Sequence, residues 1–179
     1  MGSRLTVTVM ALLAGLAVAP VHVLAQSADG TNASASKVLA SGGTGFNVAA
    51  VRSLLNRGDS AVASGNLDQA KTDYDNARTA AKQLLAFYRD LSGAFRGLDA
   101  RIPREMDSKG REALSLLAQA NLRLAALFRR QNQPEVAVPV LVEVVRLMTP
   151  ASTEGQKAYQ SLVELGFVDT PFAGAKSPN

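Results

Sequence analysis

Residues 67–98 read LDQAKTDYDNARTAAKQLLAFYRDLSGAFRGL, and their apolar spacing decides the fold class. Leu67, Ala70, Tyr74, Ala77, Ala81, Leu84, Tyr88, Leu91, Phe95 and Leu98 alternate by three and four residues without a miss. At the helical repeat this spacing lays them along one side of a helix, as a seam that a neighbouring helix covers. Gly93 and Gly97 weaken the distal turns, so a bend or an early end is expected there.

Upstream, Ser64-Gly65-Asn66 is a turn signal. Asn66 followed by Gln69 is suited to a capping box that starts the long helix. A shorter helix over about 47–63 precedes the turn, with Val51, Leu54, Leu55, Gly58 and Val62 on one face. Downstream, Asp99 to Pro103 connects to a helix over 104–130, whose Met106, Ala113, Leu117, Ala120, Leu124 and Leu127 repeat the three-four seam. The two long seams predict an antiparallel hairpin. Gln131-Asn132-Gln133-Pro134 turns the chain, and Pro134 suits the first position of the next helix. That helix buries Ala137, Val140, Leu141, Val144 and Met148, with Pro139 expected to distort its first turn, and Thr149-Pro150 stops it. A last helix over 154–165 is expected to be capped by Thr153 with Gln156 and ended by Gly166. The fold class is therefore all-α, a set of antiparallel helical hairpins with a long central one. The helical domain spans 46–167, and 168–179 is expected as a disordered tail.

The first 25 residues have the organisation of a secretory signal. Arg4 gives the positive start, Leu5 to Ala19 is an uncharged apolar run, and Val23-Leu24-Ala25 places small residues before a cut. The run is shorter than the roughly 20 residues that span a bilayer. Cleavage near Ala25 places the protein in the periplasm or another extracytoplasmic compartment. Residues 26–45 are rich in Ser, Ala and Gly and are expected as a flexible linker. Gly42-Gly43-Thr44-Gly45 follows no strand pattern and precedes no Gly-Lys-Ser/Thr, so it is read as linker rather than phosphate loop.

Composition narrows the chemistry. The sequence has no cysteine, and its one histidine, His22, lies in the signal segment. The chain after Ala25 thus has neither side chain, which removes serine-histidine and cysteine catalysis and the usual zinc ligands. Asp73 and Asp75 face different sides of a helix, and with Asp68 they lack the glycine and distal glutamate of a calcium loop. No catalytic residue, cofactor or metal is expected.

Two stretches carry the small-large-small pattern of a helical repeat. In the first, Gly58 takes the small position of the leading helix and Gly65 the turn, while Ala70, Tyr74 and Ala77 face it from the second helix. In the second, Leu124 and Ala125 match Leu-Gly, Phe128 matches the Tyr, and Ala137 and Leu141 match Ala-x3-Phe. Leu54 and Asn121 stand at the two Trp positions, and Arg57 and Ala61 depart from the Leu and Tyr positions. Over about 48–150 the chain resembles the tetratricopeptide-repeat family. The resemblance implies a short TPR-like array, and a non-enzymatic scaffold that binds a protein or peptide in the groove between hairpins. The alternative is a structural helical bundle that oligomerises or lies peripherally on an anionic membrane surface.

The charge is unevenly placed. Residues 78–130 hold 11 Lys/Arg and 5 Asp/Glu, a local charge of +6. On the long helix Lys71, Arg78, Lys82, Arg89 and Arg96 fall within about 40° of one another at 100° per residue. Lys82 and Arg89 have no acidic residue three or four positions away. Lys82, Arg89 and Arg96 are therefore the candidate contacts to an acidic partner or an anionic membrane surface. Nucleic acid is a disfavoured partner, because no aromatic residues interleave with the basic ones as a stacking platform.

Overall fold

Asparagine side chains open the first two helices. The Asn47 oxygen accepts from the Ala50 amide at 2.8 Å, and the Asn66 oxygen accepts from the Gln69 amide at 3.1 Å. Five helices then follow in the computed structural model, which describes residues 46–172. They are α1 (Val48–Ala63), α2 (Leu67–Ala94), α3 (Arg101–Arg130), α4 (Pro134–Met148) and α5 (Thr153–Glu164), and no strand occurs among the described residues. The expected signal segment and linker over 1–45, and positions 173–179 of the expected tail, lie outside the described residues.

Each helix packs against the next. In addition α1 touches α3, and α3 touches α5. The odd-numbered helices thus form one layer. Ion pairs Arg52–Glu112 and Arg123–Asp59 tie α1 to α3, and Arg129–Glu164 ties α3 to α5. In the other layer Glu143 of α4 receives both Arg78 and Lys82 of α2. The core between the layers is aliphatic. Val51, Leu84, Leu117, Leu124, Leu127, Leu141 and Val144 are its largest fully buried apolar side chains.

Small residues set the spacing between helices. Ala70, Ala77, Ala81, Ala113, Ala120 and Ala137 have no exposed surface. A Cβ built on Gly58 would run into the ring of Tyr74, with Tyr74 Cδ1 only 2.6 Å away. Gly58 and Tyr74, paired in the sequence reading, are therefore in direct contact. Gly155 lets α5 start against the Thr149 carbonyl, since its Cβ would meet backbone there. Replacing Ala70 or Ala137 by leucine is expected to overpack this spacing at a cost of about 1–3 kcal/mol. Ala63 is exposed, and Ala63→Leu should cost under about 0.5 kcal/mol. Urea unfolding of the three variants checks this, and similar losses at all three would contradict the observed packing.

The early end expected of α2 occurs at Ala94, where Phe95 leaves the helix and Gly97 takes a positive φ of 88°, and three other helix ends or caps differ from the sequence reading. The last seam members are therefore released, and Leu98 is exposed. α3 begins at Arg101 rather than Arg104, with Pro103 inside its first turn. A proline costs little there, since that amide would lack a helical acceptor anyway. Only half of the expected capping box forms, because the Gln69 amide turns to Asp73 at 3.1 Å. The cap of α5 is Ser152, whose hydroxyl accepts from the Gly155 amide at 3.0 Å, rather than Thr153.

Pro134 stands at the start of α4 as expected, and Pro139 lies inside it on the exposed side. Beyond α5 the chain runs back along that helix. Val168 packs on the core, and the Tyr159 hydroxyl donates to the Thr170 carbonyl at 2.7 Å. Asn121 is fully buried in α3, and neither of its amide atoms has a hydrogen-bond partner among the described residues. Such a group costs about 1–3 kcal/mol in desolvation.

Candidate interaction surface

The basic stripe of α2 is divided by the length of its neighbours. Lys71 pairs with Asp75 at 2.7 Å. Arg78 and Lys82 both reach Glu143 of α4, Lys82 at 2.7 Å. α4 ends at Met148, little more than one turn beyond Glu143, while α2 continues to Ala94. Arg89 and Arg96 have no ion-pair partner among the described residues. Of the three candidate contacts, Lys82 is thus engaged within the fold, and Arg89 and Arg96 are uncommitted.

Arg89 lies on a groove between α2 and α3. Leu85, Tyr88, Met106, Gly110 and Leu114 supply its apolar lining, Arg89, Asp107 and Arg111 its polar one, and its volume is about 220 Å³. It lies beyond the end of α4 at Met148, and no residue of α1 lines it. Tyr88 continues the seam of Tyr74 and Ala81, each one heptad apart, and Arg89 continues the stripe of Arg78 and Lys82, so the groove lies on the side of the hairpin that α4 covers further along. Gly110 is buried there, and a Cβ on it would meet Tyr88 Cβ at 3.7 Å, an ordinary contact.

An aromatic ridge runs beside the groove. The Phe87 ring meets Tyr88 edge-on at 5.4 Å and Phe46 at 5.7 Å. Phe46 and Phe87 are both nearly half exposed. Asp107 accepts from the Ser92 hydroxyl at 2.7 Å and adds one carboxylate to the groove, against the two cations Arg89 and Arg111. Arg111 has no ion-pair partner among the described residues, so two uncommitted guanidinium groups border one apolar floor. Arg111 was not legible in the sequence, because its place beside Arg89 exists only across the hairpin. The available signal was Gly110, the small residue that brings α3 close to Tyr88.

The groove between hairpins, on the α1/α3 face, differs in its charge state. It is lined by Arg52, Asn56, Glu112, Ser115, Gln119 and Arg123 over Leu55 and Leu116, with a volume of about 260 Å³. Its arginines are matched internally, Arg52 by Glu112 and Arg123 by Asp59. Asp59 also accepts from the Tyr74 hydroxyl at 2.6 Å. Burial, followed by this bond, pushes the Tyr74 phenol well above its ordinary value.

Three carboxylates of the framework ionise below their usual range. For Asp73, only 2% exposed, the hydrogen bond from Arg57 is the largest cause, acting against burial. For Glu143 burial pushes upward, but the bonds from Lys82 and Arg78 outweigh it. For Asp59 burial is likewise outweighed, by Arg123 and Tyr74. A lowered folded-state pKa means that the unfolded chain takes up protons first. The stabilisation from these groups is complete above about pH 5 and fades as pH falls through about 4 and below. Urea midpoints are therefore expected to drop from pH 6 to pH 3, with a smaller drop in Asp73→Asn. An equal drop in that variant would remove Asp73 from the explanation.

Among the described residues no group of three His, Cys, Asp or Glu side chains is placed to hold a metal ion. No described helix is long and apolar enough to cross a membrane. Comparison with protein-family models, curated proteins and solved structures gives no match to this chain.

Proposed function

We propose that this protein is a non-enzymatic interaction scaffold of tetratricopeptide type, acting outside the cytoplasm, and that its partner presents an acidic segment with an apolar side chain. The observation that carries the reading is the α2/α3 groove, where Arg89 and Arg111 border the floor made by Leu85, Tyr88, Met106 and Leu114. An apolar floor supplies contact area, and uncommitted arginines supply selection for carboxylates, in which they form paired hydrogen bonds. The paired charges of the α1/α3 groove make it the weaker site for such a partner. The repeat type is supported by the nesting of Gly58 on Tyr74 and by the contacts between alternate helices. Export is supported by the apolar run before Pro20 and the Val23-Leu24-Ala25 site.

Position-specific capture tests the reading. A photo-crosslinking phenylalanine derivative is placed at Phe87 on the ridge, or at exposed Val136 on α4, in the protein's own host. Adducts are expected at Phe87 with a partner whose crosslinked peptide is acidic, and they should weaken in the Arg89→Glu background. Equal capture at both positions, or capture indifferent to Arg89, would sink the assignment of this groove.

A further inference from the structure

At the far end of the long hairpin stands the most solvent-accessible large apolar side chain among the described residues. Leu98, in the loop between α2 and α3, is 81% exposed. Phe95 and Ile102 lie half-buried on either side. Gly97, at positive φ, makes the turn that lifts Leu98 away from both helices. A lone exposed leucine is ordinary. The charges around this one are not evenly balanced.

The carboxylates nearest the loop each have a partner. Asp99 accepts from the Arg101 amide and guanidinium, both at 2.8 Å, and this holds its carboxyl below the usual range. Glu105 pairs with Lys109 at 2.7 Å, and Asp107 accepts from Ser92. Arg96 and Arg104, one on each side of Leu98, are exposed and have no ion-pair partner among the described residues. Asp90 also lacks one, but it lies about 100° round α2 from Arg89, off the basic stripe.

The loop is also the part of the hairpin that reaches furthest. α1 and α3 run parallel, with Arg52 opposite Glu112, so about seven residues of α3 precede the start of α1, or roughly 10 Å at 1.5 Å per residue. A flat surface approached end-on meets this loop before α1. We infer that the α2–α3 loop docks on an anionic lipid surface, with Leu98 entering the headgroup layer and Arg96 and Arg104 facing lipid phosphates. The combination of one inserted apolar side chain and flanking cations is what a peripheral contact requires. Each arginine near an anionic surface contributes roughly a fivefold gain in binding, and a buried leucine more. The contact is separate from the Arg89/Arg111 groove and does not depend on the scaffold reading.

Vesicle flotation of the chain from Gln26 to Asn179 tests it. Vesicles of phosphatidylcholine mixed with phosphatidylglycerol should carry the protein up, and vesicles of phosphatidylcholine alone should not. Leu98→Ser should weaken flotation by roughly tenfold or more, and Arg96→Ala with Arg104→Ala by roughly thirtyfold. Both changes are in exposed positions, and unchanged helical circular dichroism shows that the variants are folded. Flotation in Arg89→Ala with Arg111→Ala should stay within a few-fold of the parent. Equal association with both vesicle types, or full flotation of the folded Leu98→Ser protein, overturns the inference. So would loss of binding only when Arg89 and Arg111 are changed, which would assign the lipid contact to the groove instead.

Discussion

Gly58→Ala should destabilise the protein by about 3 kcal/mol, although alanine is the better helix former by about 1 kcal/mol. The added methyl falls on the Tyr74 ring. The far end of that ring is fixed, because its hydroxyl donates to Asp59, which is bound in turn by Arg123. It therefore has little freedom to move away. Placing Gly58→Ala in a Tyr74→Leu background should recover at least about 1 kcal/mol relative to the sum of the single changes. Gly93→Ala serves as the comparison. Its Cβ would meet nothing within 4 Å, so helix propensity alone acts and a gain of about 0.5–1 kcal/mol is expected. Urea unfolding of the four proteins and the double variant measures all of this. Additivity between positions 58 and 74 would show that their contact does not set the α1/α2 spacing.

The second large effect separates the two halves of the basic stripe. Arg89→Glu with Arg111→Glu reverses the charge around the α2/α3 groove at exposed positions, so stability should change by under about 0.5 kcal/mol per site. Partner binding should fall by about a hundredfold, equivalent to roughly 2.7 kcal/mol. In the parent protein it should weaken as salt rises. Lys82→Glu should behave in the opposite way. It sets a new carboxylate against Glu143, which is three-quarters buried, and should cost about 1–2 kcal/mol of stability with little loss of binding in the molecules that remain folded. The two variants are compared by chemical unfolding and by titration with the captured partner. The same pattern in both would erase the distinction between them.

That distinction was beyond the sequence for a definite reason. The three-four seam of α2 was legible, as were the partnership of Gly58 with Tyr74 and the hairpin made by α2 and α3, because each follows from local periodicity or residue size. Lys82 and Arg89 look alike along the chain, one heptad apart and without an acidic residue three or four positions away. What separates them is Glu143, which is 61 residues from Lys82 and comes opposite it only when α4 packs beside α2. Arg111 was hidden for the same reason, since its relation to Arg89 exists only across the hairpin. The start of α3 was misplaced because a helix end is set by competition between caps. Asp99 bonding the Arg101 amide, rather than the proline at 103, decides where α3 begins. The buried amide of Asn121 also gave no warning, since its position read as one departure in a degenerate motif.

The most direct test of the scaffold reading is hydrogen–deuterium exchange of the protein alone and in complex with the partner captured at Phe87. Added protection is expected in two separated stretches that meet only in the fold, around Leu85–Arg89 of α2 and Met106–Leu114 of α3, with the α1/α3 face near Asn56 and Gln119 unchanged. Protection confined to Asn56, Ser115 and Gln119, or absent from both stretches, would contradict that reading.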